Sequence, residues 1–355
     1  LYSTSETVFQ WMLRAYGGGL RVFLRHRLMT MVFTGLVLVA TFYLFQALPK
    51  GFVPSEDTSQ LLATTEAVEG ISFESMVEHQ KAVASIVKAD PNVDAFMSNA
   101  GARGPSARGN AGSMFVRLKP RGERQLRVDE VITELRPKLA QVPGIRVYLQ
   151  NPPTLRVGGL MSKSLYQYTL QSPDLQALYE YAPRLQEKMR ALPGLLDVTT
   201  DLEIKNPEVT VDIDRDKAAM LGLSAEQLED ALYTAYGSRQ ISTIFAPNND
   251  YAVIMEIKPE YQLEPAALSL LHIRSAGGQL VPLDSFTKLT TSVGPAAVNH
   301  LGQLPAANIS FNLKPGASLG DAVAAIEKTA KAALPSSIST SFQGAAQAFQ
   351  SSLRG

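Results

Sequence analysis

The chain has 355 residues, 45% hydrophobic and 19% charged, a balance that fits two or three packed domains and excludes a disordered chain. Its 33 Lys and Arg equal its 33 Asp and Glu, so no net field draws it to nucleic acid. Cysteine is absent, and the four histidines (His26, His79, His272 and His300) lie far apart with no i, i+4 pair. Disulfides, thiolate chemistry and a histidine-built metal or catalytic centre are therefore unsupported. Beginning on Leu1 and stopping at Gly355 in mid-pattern, the sequence reads as a piece of a longer chain.

Residues 1–27 mix Phe9, Trp11, Leu13 and Phe23 with arginines, which suits an amphipathic helix on the cytoplasmic membrane face. Residues 28–48 follow without a charge, long enough to span a hydrocarbon core of ~30 Å. The run is too long, and its flanks are wrong, for a secretory signal. Arg14, Arg21, Arg25 and Arg27 precede it and only Lys50 follows closely, so the remainder of the chain is expected on the far side.

Beyond the span, four amphipathic helices each run toward a proline (Pro91, Pro143, Pro193 and Pro335) and then a strand, with another strand before each helix. The expected class is α+β, with repeated split βαβ (ferredoxin-like) subdomains. The first covers 55–160. The second covers 161–206 and 293–345, split by an inserted α+β subdomain at 207–292, and 346–355 leads onward. The insertion is expected to hold the helix SAEQLEDALYTAYG and hairpins around Asn248–Asp250 and around residues 276–278. Asp212, Asp214, Arg215 and Asp216 in VDIDRD end a strand and should cap and pair at the following helix.

Strand alternation separates the two sheet faces. Met114, Val116 and Leu118 should pack on the helices, as should Ile145, Val147 and Leu149. The opposite face would then carry Phe115 with Ser113, Arg117 and Lys119, and Tyr148 with Arg146 and Gln150. The same count in VDAFMSN puts Phe96 with Asp94 and Ser98, again opposite the helices. Three rings on a polar face fit a cleft for amphipathic molecules, although ordinary sheet surface or a subdomain contact reads the same way. Two of these strands are joined by GARGPSARGNAG, residues 101–112, far longer than a hairpin needs. It reads as a mobile flap at the cleft rim or as a plain connector. A phosphate loop is disfavoured, because no GK[ST] follows and no helix opens there. No carboxylate pair, Ser/His/Asp set or nucleotide motif points to an enzyme.

LPKGFVPSED after the span, the glycine-rich loop, VDIDRDKAAMLGLS and ISFNLKPGASLGDAVAAIE together resemble resistance-nodulation-division (RND) multidrug exporters. YQYTL, GSRQISTIF and VNHLG look closest to the MdtB/MdtC-type branch, whose pumps can be hetero-trimeric. The similarity covers essentially the whole chain. It implies a proton-driven inner-membrane pump, with residues 28–48 as the seventh transmembrane helix and most of the chain periplasmic. The two βαβ subdomains would be porter subdomains and the insertion a docking subdomain. Implied partners are amphipathic drugs, a periplasmic adaptor, an outer-membrane channel and like subunits in a homo- or hetero-trimer. No cofactor is implied, and the proton-relay residues would lie on other spans.

By position, the resemblance makes 101–112 the switch loop, including Gly101, Arg103, Gly104, Pro105, Arg108, Gly109 and Gly112. Phe96 and Phe115 correspond to deep-pocket aromatics, and Leu62, Thr64, Tyr148 and Gln150 to cleft-lining positions toward the entrance. Gly101 and Arg103 stand where well-studied drug pumps have phenylalanines, which leaves gating to glycine mobility rather than ring stacking. Arg103 and Arg108 point to anionic substrates such as bile salts. The alternatives are an RND exporter of metal or lipid, and a single-pass anchored periplasmic binding or adaptor module. Against metal, the cleft strands carry no Met, His or carboxylate cluster.

Overall fold

The computed structural model describes residues 2–47, 56–101, 109–154, 158 and 162–354. Two helices open the chain, α1 (Tyr2–Arg25) and α2 (Arg27–Ala47). The stretch Arg27–Leu44 is long and apolar enough to cross a membrane, and none of it is buried against the rest of the protein.

The first βαβ pair follows: β1 (Gln60–Ala67), α3 (Phe73–Ala89), β2 (Val93–Ala100), β3 (Ala111–Leu118), α4 (Val128–Leu139) and β4 (Ile145–Gln150). Its strands form one antiparallel sheet in the order β2-β3-β1-β4. A second pair begins with β5 (Tyr166–Gln171), α5 (Leu175–Arg190) and β6 (Leu195–Thr200). The chain then departs into β7 (Asn206–Ile213), α6 (Arg215–Met220), α7 (Ala225–Tyr236), β8 (Arg239–Ala246), β9 (Asn249–Met255), β10 (His272–Arg274), β11 (Leu280–Pro282) and β12 (Thr287–Gly294). It returns through β13 (His300–Leu301), β14 (Leu304–Leu313), α8 (Leu319–Ala333) and β15 (Ser339–Gln343), and α9 (Ala345–Arg354) comes last. β6, β14, β5 and β15 lie side by side in that order, so the second sheet repeats the topology of the first. The α+β class with repeated split βαβ units is what the alternation of helices and strands led one to expect.

Each unit buries its own apolar cluster. In the first, Leu61, Ala63, Met114, Val116 and Leu118 meet Met76, Val83 and Val87 of α3 and Val131 and Leu135 of α4. In the second, Leu170, Ile309 and Phe311 meet Leu178 and Leu185 of α5 and Ile326 of α8. A smaller cluster around Leu228, Leu283 and Phe286 holds the inserted segment.

The prolines act in two ways. Asp90 and Leu334, each just before a proline, are extended, and α3 and α8 stop there. α4 and α5 end earlier, and Pro143-Gly144 and Pro193-Gly194 turn the chain into the next strand with glycine φ of +78° and +90°. Asp214 caps α6, its side chain accepting from the Lys217 N–H at 3.1 Å.

The entry to the first unit is fastened by Arg124, whose side chain is 1% exposed. It pairs with Asp57 and donates to the Lys119 carbonyl at 2.9 Å and to the Leu126 carbonyl at 2.5 Å. The other Asp57 oxygen accepts from the Val128 N–H at the start of α4, at 3.2 Å. Burial by itself would raise the Asp57 carboxyl. The hydrogen bonds from Arg124, Ser59 N–H and Val128 N–H, with the Arg124 charge, hold it below the ordinary carboxylate value.

Candidate functional site: the open face of the first sheet

The register of the first sheet lines up two rows of side chains on the face away from α3 and α4. One row is Met97, Phe115, Leu62 and Gln150, and the next is Asn99, Ser113, Thr64 and Tyr148. The expected residues Leu62, Thr64, Phe115, Tyr148 and Gln150 are thus brought together on one face.

Phe96 is not with them, and here the face assignment must be corrected. A bulge between Val93 and Ala95 adds one residue to β2, after which Phe96 pairs with Val116 and Met97 with Phe115. Phe96 therefore turns toward the helices and packs against the first unit's core. Met97 takes its place on the open face, 60% exposed beside Phe115 at 46%. The clue was in the sequence: Val93 and Phe96 are apolar at a spacing of three, which regular alternation cannot bury on one side and a bulge can. The two side chains should answer differently to truncation. Phe96→Ala is expected to cost about 2 kcal/mol of unfolding free energy, and Met97→Ala less than about 0.5 kcal/mol, read by thermal or denaturant unfolding.

Exposure falls across the face from β2 to β4, because the second unit covers the β4 side. Tyr148 is only 6% exposed. Its hydroxyl lies 3.3 Å from Glu66 Oε2 and 3.5 Å from Thr199 Oγ1 of β6. Burial first, and then the Glu66 charge, push its phenol above the ordinary value, so it stays protonated as a donor. Gln150 donates to the Ser162 carbonyl at 3.0 Å, and Lys163 pairs with Glu66. A second ion pair, Arg136 of α4 with Asp197 of β6, closes the same seam. Asp197 sits at a positive φ of 52°, where β6 slips register against β14, and is also held by Asn312 at 2.9 Å. Alternation within one sheet carries no signal for these seam residues, since they meet only when two units dock.

The two ends of the glycine-rich loop are pinned. Gly101 N–H donates to the Ala111 carbonyl at 2.8 Å, and Ala67 N–H to the Asn110 carbonyl at 2.8 Å. Gly101 has φ +76°, a conformation that favours glycine. Gly109 has open space around it, whereas Gly112 lies inside β3, paired with Thr65 and Ala100. Beneath Gly112, on the helix side, Thr65 donates to Gln80 at 2.6 Å and Gln80 to Ser98 at 2.9 Å. Arg103, Gly104, Pro105 and Arg108 lie outside the described residues. Among the described residues, no three His, Asp or Glu side chains converge as a metal site would need.

The wall is thus an apolar strip, exposed at Met97 and Phe115 and half-buried at Leu62, grading into a polar, half-closed seam. Comparison with known proteins speaks to the chain as a whole. The model of the AcrB/AcrD/AcrF family matches residues 1–354. The chain is 39% identical over 342 residues to the multidrug resistance protein MdtC of Yersinia pestis bv. Antiqua (strain Angola), covering 96% of this chain and 33% of the relative. The MdtC of Yersinia pseudotuberculosis serotype O:1b (strain IP 31758) is similar to the same degree. The chain therefore spans about a third of the length of the curated relatives it matches. Among solved structures, it superposes on a crystal structure of a heavy metal efflux pump with a TM-score of 0.82, covering 92% of this chain and 35% of that one. Identity there is 18%, so that likeness speaks for the fold alone. On the family match and the relatives together, the chain belongs to the AcrB/AcrD/AcrF family of RND transporters.

Proposed function

We propose that the chain is the porter region of a proton-driven multidrug exporter, in which the open face of the first sheet receives amphipathic substrates. The observation that carries this reading is the Met97–Phe115–Leu62 strip, apolar and accessible on an otherwise polar face. Phe115 offers a flat ring and Met97 a flexible thioether that adapts to differently shaped guests. Thr64 and Gln150, both half-buried, supply polar contacts toward the closed side, while Tyr148 is covered by the second unit and braces that edge through Glu66 and Thr199. By the resemblance, 101–112 gates this cleft, residues 55–160 and 161–206 with 293–345 act as porter subdomains, and 207–292 faces an outer-membrane channel. The protein would reside in a bacterial inner membrane as a trimer of like subunits with a periplasmic adaptor. It would run on proton flow through other spans, with no cofactor.

The name of the relatives, multidrug resistance protein, favours drugs as cargo over metal. The wall agrees, because its reachable side chains are a thioether, a ring and an aliphatic chain rather than a convergent set of metal ligands. In the intact gene, expressed in an efflux-deficient host, Met97→Ser with Phe115→Ser should lower resistance to apolar drugs at least fourfold at unchanged protein level. Unchanged resistance across the panel would remove the wall from the transport path.

A further inference from the structure

The helix side of the second sheet holds a groove separate from the wall. It is lined by α8, α9 and β15 and has a volume of about 520 Å3, within the range that accommodates small organic molecules. Its inner end is the ring pair Tyr168 and Phe342, with centroids 4.7 Å apart. Its charged side chains are Glu327 and Lys331 of α8, and Thr340, Gln347 and Gln350 add a hydroxyl and two amides.

Glu327 precedes Lys331 by four residues, the order in which such a pair closes most favourably on a helix. Elsewhere in this chain a pair at the same spacing does close, Glu180 with Arg184 at 2.8 Å, whereas Lys138, four residues after Glu134, is drawn off to Asp90 at 3.1 Å. In the groove the pair stays open. Glu327 Oε1 instead accepts from Gln350 Nε2 of α9 at 2.7 Å, and Lys331 has no ion-pair partner among the described residues. The groove therefore presents an anion and a cation about one helix turn, ~5.4 Å, apart on one wall.

We propose that this groove binds a small zwitterion, with an ammonium group on Glu327 and a phosphate or carboxylate on Lys331. Thr340 and Gln347 provide further hydrogen bonds along the bound molecule. A solute with a single charge satisfies one wall residue and leaves the other unpaired, which sets the selectivity. The chemistry is shared by a free aminoalkyl phosphate and by a phosphatidylethanolamine headgroup.

The test uses the full-length protein in detergent, with O-phosphoethanolamine titrated by calorimetry. Saturable binding is expected, weakened at least tenfold by either Lys331→Met or Glu327→Gln, with the melting temperature of each variant unchanged. Ethanolamine alone and inorganic phosphate alone should each bind at least tenfold more weakly than the zwitterion. Absence of saturable binding, equal binding of the single-charge probes, or variants that bind like the unaltered protein would each overturn the proposal. Nanodiscs of phosphatidylethanolamine, compared with phosphatidylglycerol, identify the source. Loss of the phosphoethanolamine heat in the former assigns the site to a lipid headgroup, and its retention in both assigns it to a free solute. Drug resistance through the wall is a separate readout, so neither result decides the other.

Discussion

Gly112→Ala should unfold the rim of the first sheet, at a cost of about 2–4 kcal/mol. An added Cβ would stand 2.8 Å from the Asn99 carbonyl, 2.8 Å from Gln80 Oε1 and 2.5 Å from Thr65 Oγ1. The carbonyl is backbone, held in the β2–β3 ladder, and cannot rotate away. Thr65 is fully buried and Gln80 is 4% exposed, and they are bonded to each other, so relief on that side breaks a buried hydrogen bond. Overpacking at ~1–3 kcal/mol adds to a stranded polar group at ~1–3 kcal/mol, and partial relaxation reduces the sum. Gly109→Ala, with open space around it, should stay within about 0.5 kcal/mol of the unaltered protein. Hydrogen exchange of β1 and β3 amides, with the melting temperature, measures both. Equal protection in the two variants would mean that Gly112 is not packed as described. The pairing also separates two roles within the loop, since a glycine needed for close approach cannot serve as a hinge.

Arg124→Met should cost about 2–4 kcal/mol and make the first unit more acid-tolerant in relative terms. The guanidinium is almost wholly buried and serves two carbonyls, Asp57 and the Ser59 hydroxyl, at 3.2 Å in the last case. Methionine fills the volume but leaves the Lys119 and Leu126 carbonyls without this donor. Asp57, with its side chain 21% exposed, recovers part of its hydration, so the loss falls short of that for a fully buried pair. The pH dependence follows from the lowered Asp57 carboxyl. Its contribution is complete above the ordinary carboxylate value, near pH 4, and is lost as the pH falls through the lower folded-state value. The unaltered protein should therefore lose stability below about pH 4 more steeply than Arg124→Met, whose Asp57 titrates closer to its unfolded value. Parallel stability curves from pH 7 to pH 2 would contradict the assignment.

Much of the architecture is legible in the amino-acid sequence. Residues 28–48 announced a spanning helix by length and lack of charge, and α2 has that character. The helix–proline–strand rhythm led to split βαβ units, and the two sheets share one strand order. The capping of α6 by Asp214 and the β8–β9 hairpin, which turns at residues 247–248 beside the expected Asn248–Asp250, followed from local chemistry alone. Such features depend on residues close in sequence, where propensity, periodicity and capping decide the outcome.

The candidate site was readable only in part. Phe115, Leu62, Thr64, Tyr148 and Gln150 share a face because unbroken strands alternate. Phe96 does not, because one bulge residue reverses the parity of everything after it in β2. Sequence alone determined which strands exist, which sides of the regular ones are apolar, and to which family the pattern is similar. Tertiary structure decided that Met97 and not Phe96 meets Phe115, that Tyr148 is covered, and that Glu66, Lys163, Arg136 and Asp197 close a seam. The physical reason is that register and docking depend on pairing between distant segments, and a single inserted residue or an ion pair between two units leaves no periodic trace in either segment.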